Sequence, residues 1–189
     1  TRRYISLIFD LIGPYRDVPA PDVYTDAQTM AWIMDTYSQM KGYSIPECVT
    51  GKPLSVGGSE GRAEATSLGV MFCVREAAKL LGLKMKNAQM VVQGFGNVGW
   101  NAAKIAYDWG CKIIGVSDSR GGIYCPRGLN PYKVYQHKMK TGSVFNVEGC
   151  EHLTNEELLE LECDVLVPAA LENQITKANA ANIKTKTIA

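Results

Sequence analysis

The stretch QGFGNVGW, Gln93 to Trp100, limits the possible folds of this chain more than any other segment. Glycines stand at 94, 96 and 99, after an apolar run ending MVV and before the helix-forming NAAKIAYDWG. A G-x-G-x-x-G spacing is weak evidence alone. Here a strand at Gln89–Gln93 precedes it, a helix opens inside it, and a second strand, KIIGVS, follows at Lys112–Ser117. That context predicts a βαβ unit with a dinucleotide turn. Gly94 permits the tight turn, Gly96 lets the backbone approach a pyrophosphate, and Gly99 lets helix pack closely on strand. Phe95, Asn97 and Val98 complete the turn, and the N–H groups at the helix start face the phosphates. Nineteen residues after Gly99 stands Asp118, a carboxylate placed to accept hydrogen bonds from an adenosine ribose. Ser117 and Ser119 flank it and offer further hydrogen bonds. Asp118 repels a 2′-phosphate and so favours NAD, whereas Arg120 offsets that charge and admits NADP. The residues leave the choice open with a lean to NAD. The plain structural alternative is a glycine-rich turn followed by a solvated Asp.

Along the rest of the chain, apolar strands alternate with helices. CDVLVP at Cys163–Pro168 reads as a third buried strand. Asn130-Pro131 opens a helix that ends near Gly142, and Thr154 with Glu157 makes a capping box. GGIYCPRG reads as a turn or small hairpin, and Thr176 as the cap of a last helix. Unbroken apolar strands separated by helices predict an α/β, Rossmann-type domain, a parallel sheet with helices on both faces. A helix from Ala63 to Leu81 leads into it. The first fifty residues read as helix, loop, helix. Thr25 with Gln28 caps the second helix, a Met-rich stripe packs in its core, and Gly42 stops it. TGKPLSVGGSEGR, Thr50 to Arg62, has five prolines or glycines and reads as a hinge; its GKP lacks P-loop spacing. Residues 1–57 are therefore assigned to a helical piece of a first domain with the hinge, and 58–189 to the dinucleotide domain. The opening TRRYISLIFDLIG reads as the middle of a helix and the closing KTKTIA as a strand just beginning, so both ends look cut.

Bulk properties exclude several classes. Net charge is +1 with no basic block, which argues against nucleic acid. No apolar run spans a membrane and no signal peptide is visible. The six cysteines (48, 73, 111, 125, 150 and 163) form no C-x-x-C pair, and only His137 and His152 accompany them. That spacing suits reduced thiols in a cytoplasmic protein and neither a disulfide framework nor a metal site.

A nicotinamide cofactor needs a partner that moves protons. Asp22, held in PAPDV by flanking prolines, is the candidate general acid/base, although an Asp at this distance from a helix is more often a turn or cap residue. The stretches IGPYRDVPAPDVYTDAQTMAWIMDTY, VTGKPLSVGGSEGRAEAT, QGFGNVG, VSDSRGGIY and NEELLELECDVLVPAALENQIT together resemble the glutamate dehydrogenase branch of the Glu/Leu/Phe/Val dehydrogenases. The resemblance runs from end to end and covers under half of a typical member. It implies reversible oxidative deamination of L-glutamate to 2-oxoglutarate and ammonia, in a homo-oligomer that is usually a hexamer. It gives Asp22 proton transfer at the amine or imine nitrogen. Thr66 and Asn97 match positions that contact the dinucleotide, Arg62 contributes at the hinge, and Ala169, Ala170 and Asn173 lie near the nicotinamide and its ribose. Ser67-Leu68-Gly69 departs from the family's GRG. Two lysines that the family uses, one to activate water and one to hold the substrate carboxylate, match nothing in these 189 residues. The chain alone is therefore expected not to turn over. Two alternatives stand: a non-catalytic dinucleotide-binding module, and a leucine, valine or phenylalanine dehydrogenase. A methyltransferase or flavoprotein leaves the first sixty residues unexplained.

Overall fold

The computed structural model describes all residues, Thr1–Ala189, and contacts divide them into two compact units, Thr1–Ala63 and Glu64–Ala189. In the first unit, α1 (Arg2–Ile8) and α2 (Ala27–Lys41) share a small core of Ile5, Ile12, Met30, Ile33, Tyr37, Ile45, Cys48 and Val49. Met30 supplies the buried part of the methionine stripe, and Gly42 ends α2 in a left-handed conformation. The cap of α2 differs from expectation. Asp26, not Thr25, holds the helix start, its Oδ1 accepting from the Thr29 N–H at 2.8 Å. Thr25 is already committed, since its hydroxyl accepts from the Asp22 N–H and donates to the Asp22 carbonyl. The cap therefore falls to the next short polar side chain.

The second unit is built on six strands: β1 (Gln89–Gln93), β2 (Lys112–Asp118), β3 (Gly121–Leu129), β4 (Glu151–Leu153), β5 (Cys163–Pro168) and β6 (Thr185–Ile188). Their order is β4-β3-β2-β1-β5-β6. β2, β1, β5 and β6 run parallel, as their apolar runs predict, whereas β3 and β4 are antiparallel additions. The reading of GGIYCPRG as a turn or small hairpin is thus corrected to a strand, β3, which forms the second arm of a hairpin with β2. Ser119 and Arg120 form a tight reversal that sets Gly121 opposite Asp118, and the chain returns along β2. Pro126 and Gly128, which made the segment look like a loop, fall in the stretch where pairing with β2 breaks register, a place where sheets tolerate them.

Around the sheet lie α3 (Ala65–Leu80), α4 (Asn97–Asp108), α5 (Pro131–Thr141) and α6 (Asn155–Leu159). Met90 and Val92 of β1 belong to the core that includes Met71 and Val74 of α3, Ala102 and Ala106 of α4 and Val134 of α5. Val91 points the other way, into a core with Leu158 and Leu159 of α6. Both faces of β1 are therefore buried, which is why its sequence does not alternate. The capping box at α6 is complete. Thr154 Oγ1 accepts from the Glu157 N–H at 3.1 Å, and Glu157 Oε2 accepts from the Thr154 N–H at 2.8 Å. Thr154→Ala is expected to lower unfolding free energy by about 1 kcal/mol, read by urea denaturation.

The helix expected after Thr176 is absent. Asn179 Oδ1 takes the Thr176 N–H at 2.7 Å, Ala180 N–H donates to the Thr176 carbonyl, and only a 3-10 turn at Ala180–Asn182 follows. The chain must be extended by Thr185 to pair with β5, and a helix cannot supply that edge. No helix is long and apolar enough to cross a membrane.

Candidate functional site

β1 continues to β2 on one side, whereas its other neighbour is β5, so the order in which strands are added reverses at β1. In an open α/β sheet, a ligand crevice opens at the carboxyl ends of strands flanking such a point. The glycine turn sits there. Gly94 has φ 85°, and a Cβ built on it would stand 2.5 Å from the Ala169 carbonyl oxygen. Ala169 in turn donates its N–H to the Gln93 carbonyl at 2.8 Å. A Cβ on Gly99 would overlap the Gly94 carbonyl. Packing therefore requires glycine at both positions.

Gly96 is different. Its φ is −85°, which any residue adopts, and a Cβ there would meet nothing within 4 Å. It is also the N-cap of α4, and no side chain caps that helix. Neither backbone conformation nor packing demands glycine at this position, and the N-cap only favours it; an approaching ligand demands it. The smooth backbone and the helix start together suit a pyrophosphate.

Two residues that sequence reasoning missed shape this turn. Lys138 of α5 donates from Nζ to the Phe95 carbonyl at 3.0 Å, while the Phe95 ring is buried. Ser67, also buried, donates to the Val98 carbonyl at 2.8 Å and so ties α3 to the first turn of α4. The family departure at Ser67 was visible; its tether was not. Thr66 beside it is exposed. Asn97 lies at the first position of α4, where its carbonyl and Oδ1 accept from Asn101 Nδ2 at 2.9 and 3.2 Å.

Asp118 ends β2 as expected, but its carboxylate is not free. Oδ1 accepts from Arg120 N–H (2.9 Å) and Ser143 Oγ (3.0 Å); Oδ2 accepts from Val144 N–H (2.7 Å) and faces Lys138 Nζ at 3.4 Å. The side chain is only 7% exposed. Burial pushes this carboxyl up, yet the hydrogen bonds from Arg120, Val144 and Ser143, with the Lys138 charge, outweigh it and hold the pKa below the ordinary value. Ser117, expected as a ligand contact, is fully buried and accepts from the Gly94 N–H at 3.3 Å. It supports the turn from beneath. Ser119 and Arg120 are exposed and line a cleft of about 450 Å³ with Phe145, His152 and Thr154.

After β5, Ala169 is half-buried while Ala170 and Asn173 are exposed; Asn173 adopts a left-handed backbone, φ 59°. The Gln174 side-chain oxygen accepts from Gln93 Nε2 at 2.7 Å, fastening this loop to the end of β1. Gln93 Oε1 is buried with no hydrogen-bond partner. The second unit contains Thr66, Gly94–Gly99, Asp118, Ser119, Ala169, Ala170 and Asn173.

Asp22 and Arg62 belong to the first unit. The Asp22 carboxylate is exposed and accepts from the Val23 N–H at 2.8 Å. Its loop is anchored on both sides: Thr50 N–H donates to the Pro19 carbonyl, and Pro21 rests where a Cβ of Gly51 would be. Arg62 lies half-buried in a turn.

Residues 57–189 match the family model of the Glutamate/Leucine/Phenylalanine/Valine dehydrogenases, and residues 1–39 match the dimerisation domain of the same enzymes. The chain is 51% identical over 189 residues to a glutamate dehydrogenase of Thermotoga maritima, covering 100% of this chain and 45% of that one. It is 49% identical over 188 residues to the cryptic catabolic NAD-specific glutamate dehydrogenase GudB of Bacillus subtilis, covering 100% and 44%. Among solved structures, the hetero-hexameric glutamate dehydrogenase of Thermus thermophilus in its Leu-bound form superposes with a TM-score of 0.93 at 41% identity, over 99% of this chain and 44% of that one. The chain thus spans less than half the length of these relatives. By the family model over its larger part, it belongs to the Glu/Leu/Phe/Val dehydrogenase family.

Proposed function

We propose that this chain serves reversible, NAD-dependent oxidative deamination of L-glutamate to 2-oxoglutarate and ammonia. The observation that carries the reading is Gly96, a glycine that neither backbone conformation nor packing demands, at the start of an uncapped helix and at the switch point of the sheet. The NAD-specific relative supports the cofactor and the glutamate-named relatives support the substrate. NAD, when bound, supplies the hydride acceptor. The residues here do the rest. Gly94–Gly99 and the start of α4 hold the pyrophosphate, with Lys138 and Ser67 fixing the carbonyls of Phe95 and Val98. Ser119 and the end of β2 at Asp118 serve the adenosine side; Ala169, Ala170 and Asn173 serve the nicotinamide side. Thr66 and Arg62 add dinucleotide contacts. Asp22 moves the proton at the substrate nitrogen, its loop held by Gly51 and Thr50. The enzyme we envisage is a cytoplasmic homo-oligomer, with the hexamer as its expected form. These 189 residues bind dinucleotide without turning over glutamate by themselves.

NADP is the second reading, because the Asp118 carboxylate is engaged within the fold while Arg120 is exposed. Calorimetric titration with NAD and, separately, NADP decides. Saturable heat with NAD and a weaker isotherm with NADP are expected. The absence of heat with both, from a chain shown by circular dichroism to be folded, would sink the proposal.

A further inference from the structure

Two cysteines outside the nucleotide site face each other across the outer strands. β3 and β4 run antiparallel with Gly122 opposite Leu153, Ile123 opposite His152 and Tyr124 opposite Glu151. One step further along this register, Cys125 of β3 meets Cys150, the residue before β4. Directly opposed residues in an antiparallel pair have Cα atoms about 4.5–5.5 Å apart, inside the span of about 4.4–6.8 Å that a disulfide bridges. Both thiols are free and half-buried, so both are within reach of small reagents. Neither has a strong competing partner: Cys125 Sγ lies 3.7 Å from the Gly128 carbonyl and Cys150 Sγ 4.0 Å from that of Glu148. The Cys150 thiol is pushed up to about 11, by burial first and then by the neighbouring Cys125 thiol through like charge and a side-chain hydrogen bond. The remaining cysteines offer no such pair: Cys48, Cys111 and Cys163 are buried and Cys73 stands alone on α3.

We propose that Cys125 and Cys150 are a thiol–disulfide exchange site, closing a reversible cross-strand bridge when a small-molecule disulfide is present. Cys125, as thiolate, attacks one sulfur of the external disulfide; that S–S bond breaks and one small thiolate leaves. Cys150 gives its proton to solvent and attacks Cys125 Sγ, expelling the second small thiolate. Two protein thiols are oxidised and one external disulfide is reduced to two thiols. The bridge fastens β4, a three-residue edge strand, to β3. β4 leads directly to Thr154 and to Asn155, whose Nδ2 donates to the Asp118 carbonyl at 3.0 Å, so the clip also steadies the end of β2.

The test treats a Cys73→Ser form of the chain with oxidised glutathione and maps unreduced peptides by mass spectrometry. A linked peptide joining Cys125 to Cys150, lighter by two hydrogens and reopened by dithiothreitol, is expected, with the melting midpoint raised by roughly 5 °C. Cys150→Ser should leave a glutathione adduct standing on Cys125. A lasting adduct on Cys125 in the parent, or no reaction at either thiol, overturns the exchange site. A bridge that forms without moving the midpoint overturns the fastening of β4.

Discussion

Gly96→Val is expected to abolish saturable NAD binding while the chain keeps its fold. The side chain enters space that no protein atom fills, at a φ of −85° that valine accepts. Its cost to folding is limited to a poorer helix N-cap, about 1 kcal/mol or less. Its cost to binding is the loss of close backbone approach to the pyrophosphate, expected to weaken the titration at least a hundredfold, about 2.7 kcal/mol. Gly99→Ala provides the contrast. A single methyl there collides with the Gly94 carbonyl, in the residue after Gln93, whose own carbonyl is tied to the Ala169 N–H, and overpacking against backbone costs roughly 3 kcal/mol or more of stability. Calorimetry with NAD and a thermal melt on both variants separate the two roles. If Gly96→Val binds NAD like the parent, the glycine turn is architecture alone. If Gly99→Ala melts like the parent, the packing argument for that glycine fails.

The contrast also marks what a sequence can disclose. β1, α4 and β2 are legible because each boundary is written locally, in the apolar run Gln89–Gln93, in Gly94 at positive φ and in Gly110 after α4. The Thr154–Glu157 box and the Asn130-Pro131 helix start are equally local, and both stand as read. β3 is not legible, because its strand character comes from pairing with β2, and its own Pro126 and Gly128 speak for a turn. The Thr25 cap fails for a related reason: Asp22 competes for the same hydroxyl. In the site, the three glycines and the position of Asp118 are readable from spacing. What surrounds them is not. Lys138 reaches Phe95 across 43 residues, and Ser143 and Val144 reach Asp118 across 25 and 26, separations over which no local pattern operates.

That hidden half of the site carries the second large effect. Asp118→Asn is expected to destabilise the second unit by roughly 2–4 kcal/mol, since the amide turns an N–H toward donors and leaves the Lys138 charge without its counter-ion. The sign of the pH dependence follows from the wild-type carboxyl. Its folded pKa lies below the ordinary 3.8, with burial opposing and the Arg120, Val144 and Ser143 hydrogen bonds and Lys138 prevailing. A depressed folded pKa means that the ionised form is the one folding favours. The stabilisation is therefore complete above the unfolded value near 3.8 and fades as pH falls through the still lower folded value. Urea denaturation at pH 7 should thus show the full gap between parent and Asp118→Asn, and the gap should narrow only below about pH 4. A gap that closes instead between pH 7 and pH 5 would assign the effect to another group. NAD affinity should fall in the same variant without any need for Asp118 to touch the ribose. Lys138, released from the carboxylate, no longer holds the Phe95 carbonyl in place, and the turn that Gly96 keeps open loses its fixed shape.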